Sequence, residues 1–329
     1  MKKVPISLII DDSSPVVSVY YHHHNPKTTK DGRPLLEHFP NSFLDTFCDI
    51  VQKYGVKGKF SVVPMPGNQG DIINGLKGVD QTLVTQWLDT VKTRLVPNFT
   101  IGPEILSHNK AVDLTTGEAL EMREDVWASS QDRTTLTPYI ARALQLVNDA
   151  GFDAFGVTSP WALGIDVEAE YTAAISKAVY DVTGKKNAWF FLRGLRGLPD
   201  AKPWVQLEED GRTLVAIPAT THDAIWDSID CPNPDDAFIQ RQADYLITAD
   251  GKAGQIIRVL ETNGWPVLVT HWQALVSNGL GTGLRIMEEI CRRVETHLKD
   301  QVEWKSFAEI LEMVIADKES FPFPKKFNP

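Results

Sequence analysis

The stretch VPISLII at residues 4–10, followed directly by Asp11 and Asp12, decides the fold. Nearly all of its residues are apolar, which is typical of a strand buried on both faces in a parallel sheet covered by helices. A membrane span needs about 18 apolar residues, far more than this run supplies. A signal peptide would need a small-residue cleavage site, whereas this run ends in two acids. We therefore expect a buried first strand in a cytoplasmic protein.

Helical patterns alternate with short apolar runs along the rest of the chain. Helices are predicted at residues 41–54, 80–95, 136–150, 167–182, 235–263 with a break at Gly251, 284–298 and 308–316. Further strands are predicted at 57–63, 99–106, 152–158, 188–192, 214–218 paired with 204–207, 266–270 and 302–307. This alternation predicts an α/β fold with a mostly parallel sheet. Without a Gly-rich dinucleotide motif it favours a (β/α) barrel in one domain, residues 1–329.

Composition excludes several classes of function. The 329 residues carry 33 Lys and Arg against 43 Asp and Glu, a net charge of −10 without a basic cluster, so nucleic-acid binding is not expected. The three cysteines lie far apart, which excludes a disulfide framework and a Cys-rich zinc site. No membrane partner is expected, and the oligomeric state is left open.

Polar residues of the metal-ligand and acid–base types follow the predicted strands. In a (β/α) barrel the active site lies where the strands end, so residues directly after each run are candidates. They are Asp11, Asp12, Pro64, His108, Ser159, Pro160, Arg193, His222, Asp223 and His271.

Several of these residues lie in segments that resemble the polysaccharide deacetylase family, metal-dependent carbohydrate esterases on a distorted (β/α) barrel. SLIIDDSSP (7–15) resembles that family's first motif, FTIGPEILSHN (99–109) its second, VTSPWALG (157–164) its third and PVLVTHW (266–272) its last. YGVKGKFSVVP (54–64) and VEWKSFAEI (302–310) are similar to connecting segments. The resemblance covers nearly the whole chain in order, and implies a distorted barrel of seven or eight parallel strands.

The resemblance also implies roles for individual residues. Asp11 would be the general base, Asp12 and His108 would bind a divalent metal such as zinc, and His271 would be the general acid. The implied reaction removes an acyl group from an N-acylated sugar or a related amide. A bound cation suits this chemistry because it lowers the pKa of water and polarises a carbonyl.

The chain departs from the family pattern at three positions. The second motif normally supplies another His four residues after the first, where this sequence has Val112. Thr158 or Ser159 stands where the third motif has Arg, and Trp272 follows His271 in place of an acid. Each departure removes a group that the family uses at its site.

A third metal ligand is therefore needed, because zinc usually takes three protein ligands and a water. The candidates are His222, which also follows a strand, and the run His22, His23 and His24, with Asp113 ranked behind them. The run of three histidines is also typical of an ordinary surface loop. His222 is taken as the predicted third ligand.

Pro160, Trp161 and Trp272 are predicted to bind substrate, since aromatic side chains beyond strand ends can stack on sugar rings. Trp226 is expected in the core. The predicted partner is a carbohydrate or small amide.

Two alternatives to the hydrolase remain open. One is a barrel that has lost catalysis and only binds carbohydrate, as Val112 suggests. The other is a metal-free glycoside hydrolase that uses Asp12 and Glu104 as paired carboxylates. Structurally, Asp11 and Asp12 could also be a turn or helix cap, and His108 an ordinary hydrogen-bonded histidine.

Overall fold

The computed structural model of the protein describes residues 3–324. Its strands are β1 (Val4–Asp11), β2 (Gly58–Val62), β3 (Gly70–Asp71), β4 (Gly75–Leu76), β5 (Phe99–Pro103), β6 (Lys110–Val112), β7 (Ala119–Arg123), β8 (Gly156–Thr158), β9 (Asn187–Phe191), β10 (Trp204–Glu209), β11 (Arg212–Ala216), β12 (Val267–His271) and β13 (Val302–Trp304). Its α-helices are α1 (Val19–His23), α2 (Ser42–Tyr54), α3 (Gln81–Thr90), α4 (Glu124–Ala128), α5 (Arg133–Asp149), α6 (Glu168–Thr183), α7 (Asp236–Asp244), α8 (Gln255–Glu261), α9 (Trp272–Val276), α10 (Thr282–Leu298) and α11 (Phe307–Ala316).

The first strand lies inside a parallel sheet, as its apolar sequence predicts. The order is β12-β1-β2-β5, and β13 pairs in parallel with the beginning of β1. Residues Ile6 to Asp11 of β1 are all buried. The register of β1 against β12 places Asp11 directly beside His271. Two predicted site residues are therefore neighbours across one pair of strands.

A second sheet has the order β10-β11-β9-β8, in which only β10 runs antiparallel. This confirms the predicted parallel sheet and the predicted pairing of 204–207 with 214–218. Backbone contacts join the two sheets at both edges. Glu104, just after β5, forms a parallel bridge with Thr158 of β8, and Thr220, beyond β11, donates its N–H to Val267 O of β12 at 2.9 Å.

The helices pack their apolar sides on the strands. In α2, Leu44, Phe47 and Val51 are fully buried, and the helix ends at Gly55 with a φ of 61°, a left-handed conformation that favours glycine. At α11, the Ser306 side chain and Glu309 form a capping box. The helix expected at 41–54 is thus confirmed. Among residues 3–324, every helix is too short or too polar to cross a lipid bilayer.

Several boundaries differ from the sequence-based prediction. The helix expected at 235–263 is two helices, α7 and α8, because residues 248–253 form a turn closed by the Thr248 N–H on Ala253 O at 3.0 Å. The strand expected at 152–158 covers only Gly156–Thr158. The β6–β7 hairpin and the helices α1, α4 and α9 were not predicted, since elements of three to five residues are too short to show a periodicity.

A close approach between the two sheets requires glycine at position 102. A Cβ on Gly102 would lie 2.7 Å from Gly156 O and 2.7 Å from the ring of Trp189. Trp189 is fully buried and packs edge-on against Phe307 at 5.1 Å between ring centroids. The indole therefore fills the space between the strands and leaves no room for a side chain at 102.

We expect Gly102→Ala to lower the free energy of unfolding by about 1–3 kcal/mol, the usual cost of overpacking a core. Gly197→Ala is the matched control, because a Cβ there meets nothing within 4 Å; its effect should stay within about 0.5 kcal/mol. Urea unfolding midpoints measure both. Equal stability of the two variants would show that the sheets are not packed this closely.

Candidate active site

One cavity of about 230 Å³ lies where the strands end. Its lining includes most of the predicted site residues and several others: Asp11, Asp12, His23, Glu104, His108, Ser159, Trp161, Phe191, Leu192, Gly194, Trp226, Val269, His271 and Gln273. Residues from β1, β9 and β12 and from the segments after β5 and β8 therefore meet in one place.

Three buried side chains at this cavity form a group with the geometry of a metal site. His108 Nε2 lies 2.8 Å from Asp12 Oδ1 and 3.3 Å from Glu104 Oε1. One ligand atom from each of the three residues lies within 4.8 Å of the other two. The backbone N–H of Asp12 donates to Glu104 Oε2 at 2.6 Å, and Gln273 Nε2 donates to Asp12 Oδ2. Both carboxylates are thus held with one oxygen toward His108.

Burial and mutual charge shift the pKa of each member of this group. Burial raises the pKa of Glu104 to about 7, and the charges of Asp11 and Asp12 act in the same direction. Burial would lower the pKa of His108, but the Asp12 and Glu104 carboxylates raise it well above its usual value. For Asp12, burial acts to raise the pKa, yet the charges of His108 and His271 bring it far below its usual value. The group therefore holds two carboxylates and one imidazole, and the charge of each shifts the pKa of the others.

The residues fit a divalent cation. Asp12 Oδ1, although 2.8 Å from His108 Nε2, has no hydrogen-bond partner within the described part of the chain. Zinc accepts this mixture of imidazole nitrogen and carboxylate oxygen. Asp12 and His108 also have positive φ angles of 62° and 52°. Strained backbone of this kind clusters at ligand and active sites.

Glu104 would supply the third donor, a role predicted for His222. In the sequence, Glu104 lies four residues before His108, and Val112 lies four residues after it. The four-residue spacing of the second motif is therefore present on the N-terminal side of His108. Val112 is buried and donates its N–H to the Tyr139 hydroxyl at 3.1 Å. This spacing is the signal in the sequence that could identify Glu104, which the sequence-based prediction names only as one of two paired carboxylates.

The predicted third ligands lie outside this group. His222 is mostly exposed, with its Nδ1 3.2 Å from Arg196 Nη1, and the structure does not bring it to Asp12. Asp113 accepts the N–H of Thr115 at 2.7 Å in a surface turn. Of the three histidines, His22 lies 3.8 Å from Glu37 and only His23 lines the cavity.

Asp11 is held by an ion pair with a fully buried lysine. Lys59 Nζ, from β2, contacts Asp11 Oδ1 and also donates to Ser61 Oγ and Thr158 Oγ1, both at 2.5 Å. Ser61 Oγ donates to the same Asp11 oxygen at 3.1 Å. Within residues 3–324, the other oxygen, Asp11 Oδ2, has neither a hydrogen-bond nor an ion-pair partner. Asp11 also lines the cavity. Lys59 was not among the predicted site residues; its amine contacts Thr158, one of the two residues that stand in place of the Arg of the third motif.

His271 is oriented by Asp223. His271 Nδ1 donates to Asp223 Oδ2 at 2.7 Å, while Asp223 Oδ1 accepts the N–H groups of Ile225 and Trp226 at 2.9 and 3.1 Å. Burial would lower the pKa of His271, but the charges of Asp12 and Asp223 raise it to about 10. The imidazole is therefore protonated at neutral pH, with Nε2 left to act in the cavity.

A buried carboxylate fixes the backbone that carries His108. Glu124 Oε2 accepts the His108 N–H at 3.0 Å, and its Oε1 accepts the N–H groups of Leu106 and Ser107 at 3.0 and 3.1 Å. The Tyr139 hydroxyl also donates to Oε1, at 2.8 Å. Glu124 therefore holds the segment that places the imidazole beside Asp12.

Aromatic side chains form the walls of the cavity. Trp161 lies 4.3 Å from His108 between ring centroids, and His23 stacks on His108 at 5.1 Å. Trp226, expected in the core, lines the cavity edge-on to His271 at 4.9 Å. Burial and the charge of His108 lower the pKa of His23 to about 3, so His23 is neutral.

Two of the three predicted substrate-binding residues lie elsewhere. Trp272 is 3% exposed and packs edge-on against Phe47 and Phe60, so it is part of the core. The next residue, Gln273, faces the cavity in its place. Pro160 begins the turn that presents Trp161 and is itself absent from the lining.

Comparison with known proteins identifies the fold only. No protein-family model and no curated protein sequence matches the chain. A candidate polysaccharide deacetylase from Mycobacterium smegmatis superposes with a TM-score of 0.53 at 15% identity, covering 87% of this chain and 81% of that one. A pseudoenzyme of the CE4 family gives a TM-score of 0.41 at 9% identity, covering 94% and 67%. Only the first similarity is close enough to support a shared fold.

Glu104→Gln and His108→Ala should each weaken Zn²⁺ binding by at least about tenfold, because each removes one of three donors. Isothermal titration calorimetry on the metal-free protein measures the change. His222→Ala is the matched control and should bind Zn²⁺ as the unmodified chain does. Loss of binding in His222→Ala with full binding in Glu104→Gln would reverse the assignment of the third ligand.

Glu124→Gln should weaken Zn²⁺ binding by about 10–100-fold, the usual cost of removing a group that orients a metal ligand. The amide has one oxygen that accepts and an NH₂ group that donates, so at least one N–H of the 106–108 segment loses its partner. The control is Glu118→Gln, which changes an exposed carboxylate between β6 and β7. It should have no effect on Zn²⁺ binding. Unchanged affinity in Glu124→Gln would show that the segment holds its shape without the carboxylate.

Proposed function

We propose that the chain is a metal-dependent hydrolase of the polysaccharide deacetylase type that removes an acyl group from an N-acylated sugar or a related amide. The observation that carries the proposal is the arrangement around one cavity. A three-donor group of Asp12, Glu104 and His108 lies beside a fixed carboxylate, Asp11, and a protonated imidazole, His271. Amide hydrolysis needs these three parts together: an activated water, a base and an acid.

The same proposal includes the architecture. We take β1, β2, β5, β8, β9, β11 and β12 as the seven parallel strands of a distorted (β/α) barrel. The Glu104–Thr158 bridge and the Thr220–Val267 hydrogen bond support closure at its two seams. One cluster of buried apolar side chains includes residues of both sheets, which supports a single domain.

Zinc, or another divalent cation, would be held by Asp12, Glu104 and His108. When bound, it supplies Lewis acidity, which polarises the amide carbonyl and lowers the pKa of water. Asp11 Oδ2 then accepts a proton from the water that adds to the carbonyl carbon. Lys59 and Ser61 keep Asp11 in place through its other oxygen.

His271 protonates the leaving nitrogen from the other side of the cavity. Asp223 holds Nδ1, so the proton delivered is that on Nε2. The carbon–nitrogen bond breaks as this proton arrives, which leaves an amine and a carboxylic acid. Proton return from Asp11 and solvent restores both groups for the next turnover.

Neither rival function is favoured by the geometry. The binding-only alternative rested on Val112, and Glu104 now provides the donor that Val112 lacks. A glycoside hydrolase needs its two carboxyl groups about 5–5.5 Å or about 6.5–9.5 Å apart, with the sugar between them. Here His108 Nε2 lies between Asp12 and Glu104, 2.8 and 3.3 Å from their nearest oxygens, so no sugar fits between them.

Asp11→Asn should lower acetate release from N-acetylated substrates by about 10²–10⁴-fold, the usual contribution of a general base. Zn²⁺ binding should persist, because Asp11 is outside the three-donor group. Acetate is assayed on the zinc-loaded protein with N-acetylglucosamine and its oligomers. Asp113→Asn, in an exposed turn, is the control and should retain full activity.

Two results would contradict the proposal. One is full activity in Asp11→Asn, which would show that Asp11 is not the general base. The other is zinc-loaded protein that releases no acid from N-acetylated sugars or from simple amides.

A further inference from the structure

We propose that the site takes one neutral N-acylated ring at a time, a monosaccharide-sized amide, and not an internal unit of a polysaccharide chain. The inference rests on the proposed hydrolase function. It follows from three features of the cavity: its volume, the helix that crosses its mouth and the charge of its lining.

The volume fits one ring. The cavity holds about 230 Å³, below the range of about 300–1,000 Å³ that drug-sized ligands occupy. A single N-acylated sugar ring placed with its acyl group toward Asp12 would leave no space for a second ring inside the walls.

Helix α1 lies across the mouth. Tyr20 and His23 are three residues apart and so lie on one face of the helix. Tyr20 contacts Trp226 at 5.7 Å and His23 contacts Trp161 at 5.1 Å, both edge-on between ring centroids. One short helix therefore touches both tryptophans of the cavity wall.

The helix is fixed against the body of the protein. Gly67, with a φ of 59°, lies directly beneath it, and a Cβ there would lie 2.6 Å from His22 Cβ. The Ser18 side chain caps the helix by accepting the Tyr21 N–H at 3.2 Å. A polymer that continues past the reacting unit needs a groove open on two sides, and α1 covers the side of the cavity that Trp161 and Trp226 form.

The lining favours a neutral ligand. Within residues 3–324, the cavity is lined by the acids Asp11, Asp12 and Glu104 and by histidines, without a Lys or Arg side chain. Lys59 contacts Asp11 below the cavity floor and is fully buried. A phosphate or carboxylate on the ring would meet three acids, and the cationic side chain of this lining outside the three-donor group, the His271 imidazolium, is already paired with Asp223. The indole of Trp161, by contrast, adds apolar surface to the cavity wall, against which the C–H groups of a sugar can pack.

The experiment compares N-acetylglucosamine, N-acetylglucosamine 6-phosphate and chitotetraose, the neutral tetramer of N-acetylglucosamine, on the zinc-loaded protein. Acetate release gives kcat/KM, and calorimetry gives Kd independently of turnover. We expect kcat/KM and affinity at least tenfold higher for the neutral monosaccharide than for the other two. Any reaction of the tetramer should occur at a terminal unit.

Variants of Trp161 test the wall directly. Trp161→Ala should weaken binding of N-acetylglucosamine about tenfold, while Trp161→Phe should retain most of the affinity. Tyr245→Ala removes a ring that is 61% exposed and outside the cavity, and should bind as the unmodified chain does.

The outcomes separate this inference from the proposed function. Hydrolysis of internal units of the tetramer at an equal or higher kcat/KM overturns the inference and leaves the hydrolase intact. Tight binding of the monosaccharide without acetate release from any substrate supports the inference and overturns the deacetylase. Neither binding nor hydrolysis of any of the three sugars overturns both.

Discussion

The structure depends on the placement of three carboxylates, Asp11, Asp12 and Glu104, at one buried edge of the strands. Burying a charge is costly unless a partner of opposite charge is close. Lys59 contacts Asp11, and His108 lies within 3.3 Å of both other acids. Apolar residues of similar volume would fill this space at no electrostatic cost. The retention of three acids here supports the proposed roles, in which Asp12 and Glu104 would bind a cation and Asp11 would act as a base.

The residues at strand ends could be predicted because a buried strand has a clear sequence pattern. The run at 4–10 is apolar and Asp11 and Asp12 follow it at once, so the sequence locates both carboxylates at a sheet edge. His271 follows from the run at 266–270 in the same way, and the register of β1 and β12 makes it the neighbour of Asp11. His108 lies beyond β5, where the chain turns back with a positive φ.

The remaining residues could not be located because their roles arise from packing between distant elements. Lys59 lies inside a strand, and only the approach of Thr158, 99 residues away, shows that its amine is buried beside Asp11. Glu124 follows a hairpin strand with no clear pattern and reaches back to the 106–108 backbone. Trp272 and Gln273 differ by one position on a short helix, and a single residue decides which one faces the cavity.

Backbone strain gives a separate reason to regard the cavity as functional. Asp12, His108 and Trp161 all adopt left-handed φ angles, of 62°, 52° and 50°, at the points where the chain leaves three different strands. Each such residue costs about 1–3 kcal/mol, a sizeable share of the roughly 5–15 kcal/mol that stabilises a folded domain. Glycine would remove the strain at each position but would also remove the side chain. Nine non-glycine residues of the described part of the chain have a positive φ, and these three line one cavity, where each places a carboxylate, an imidazole or an aromatic wall.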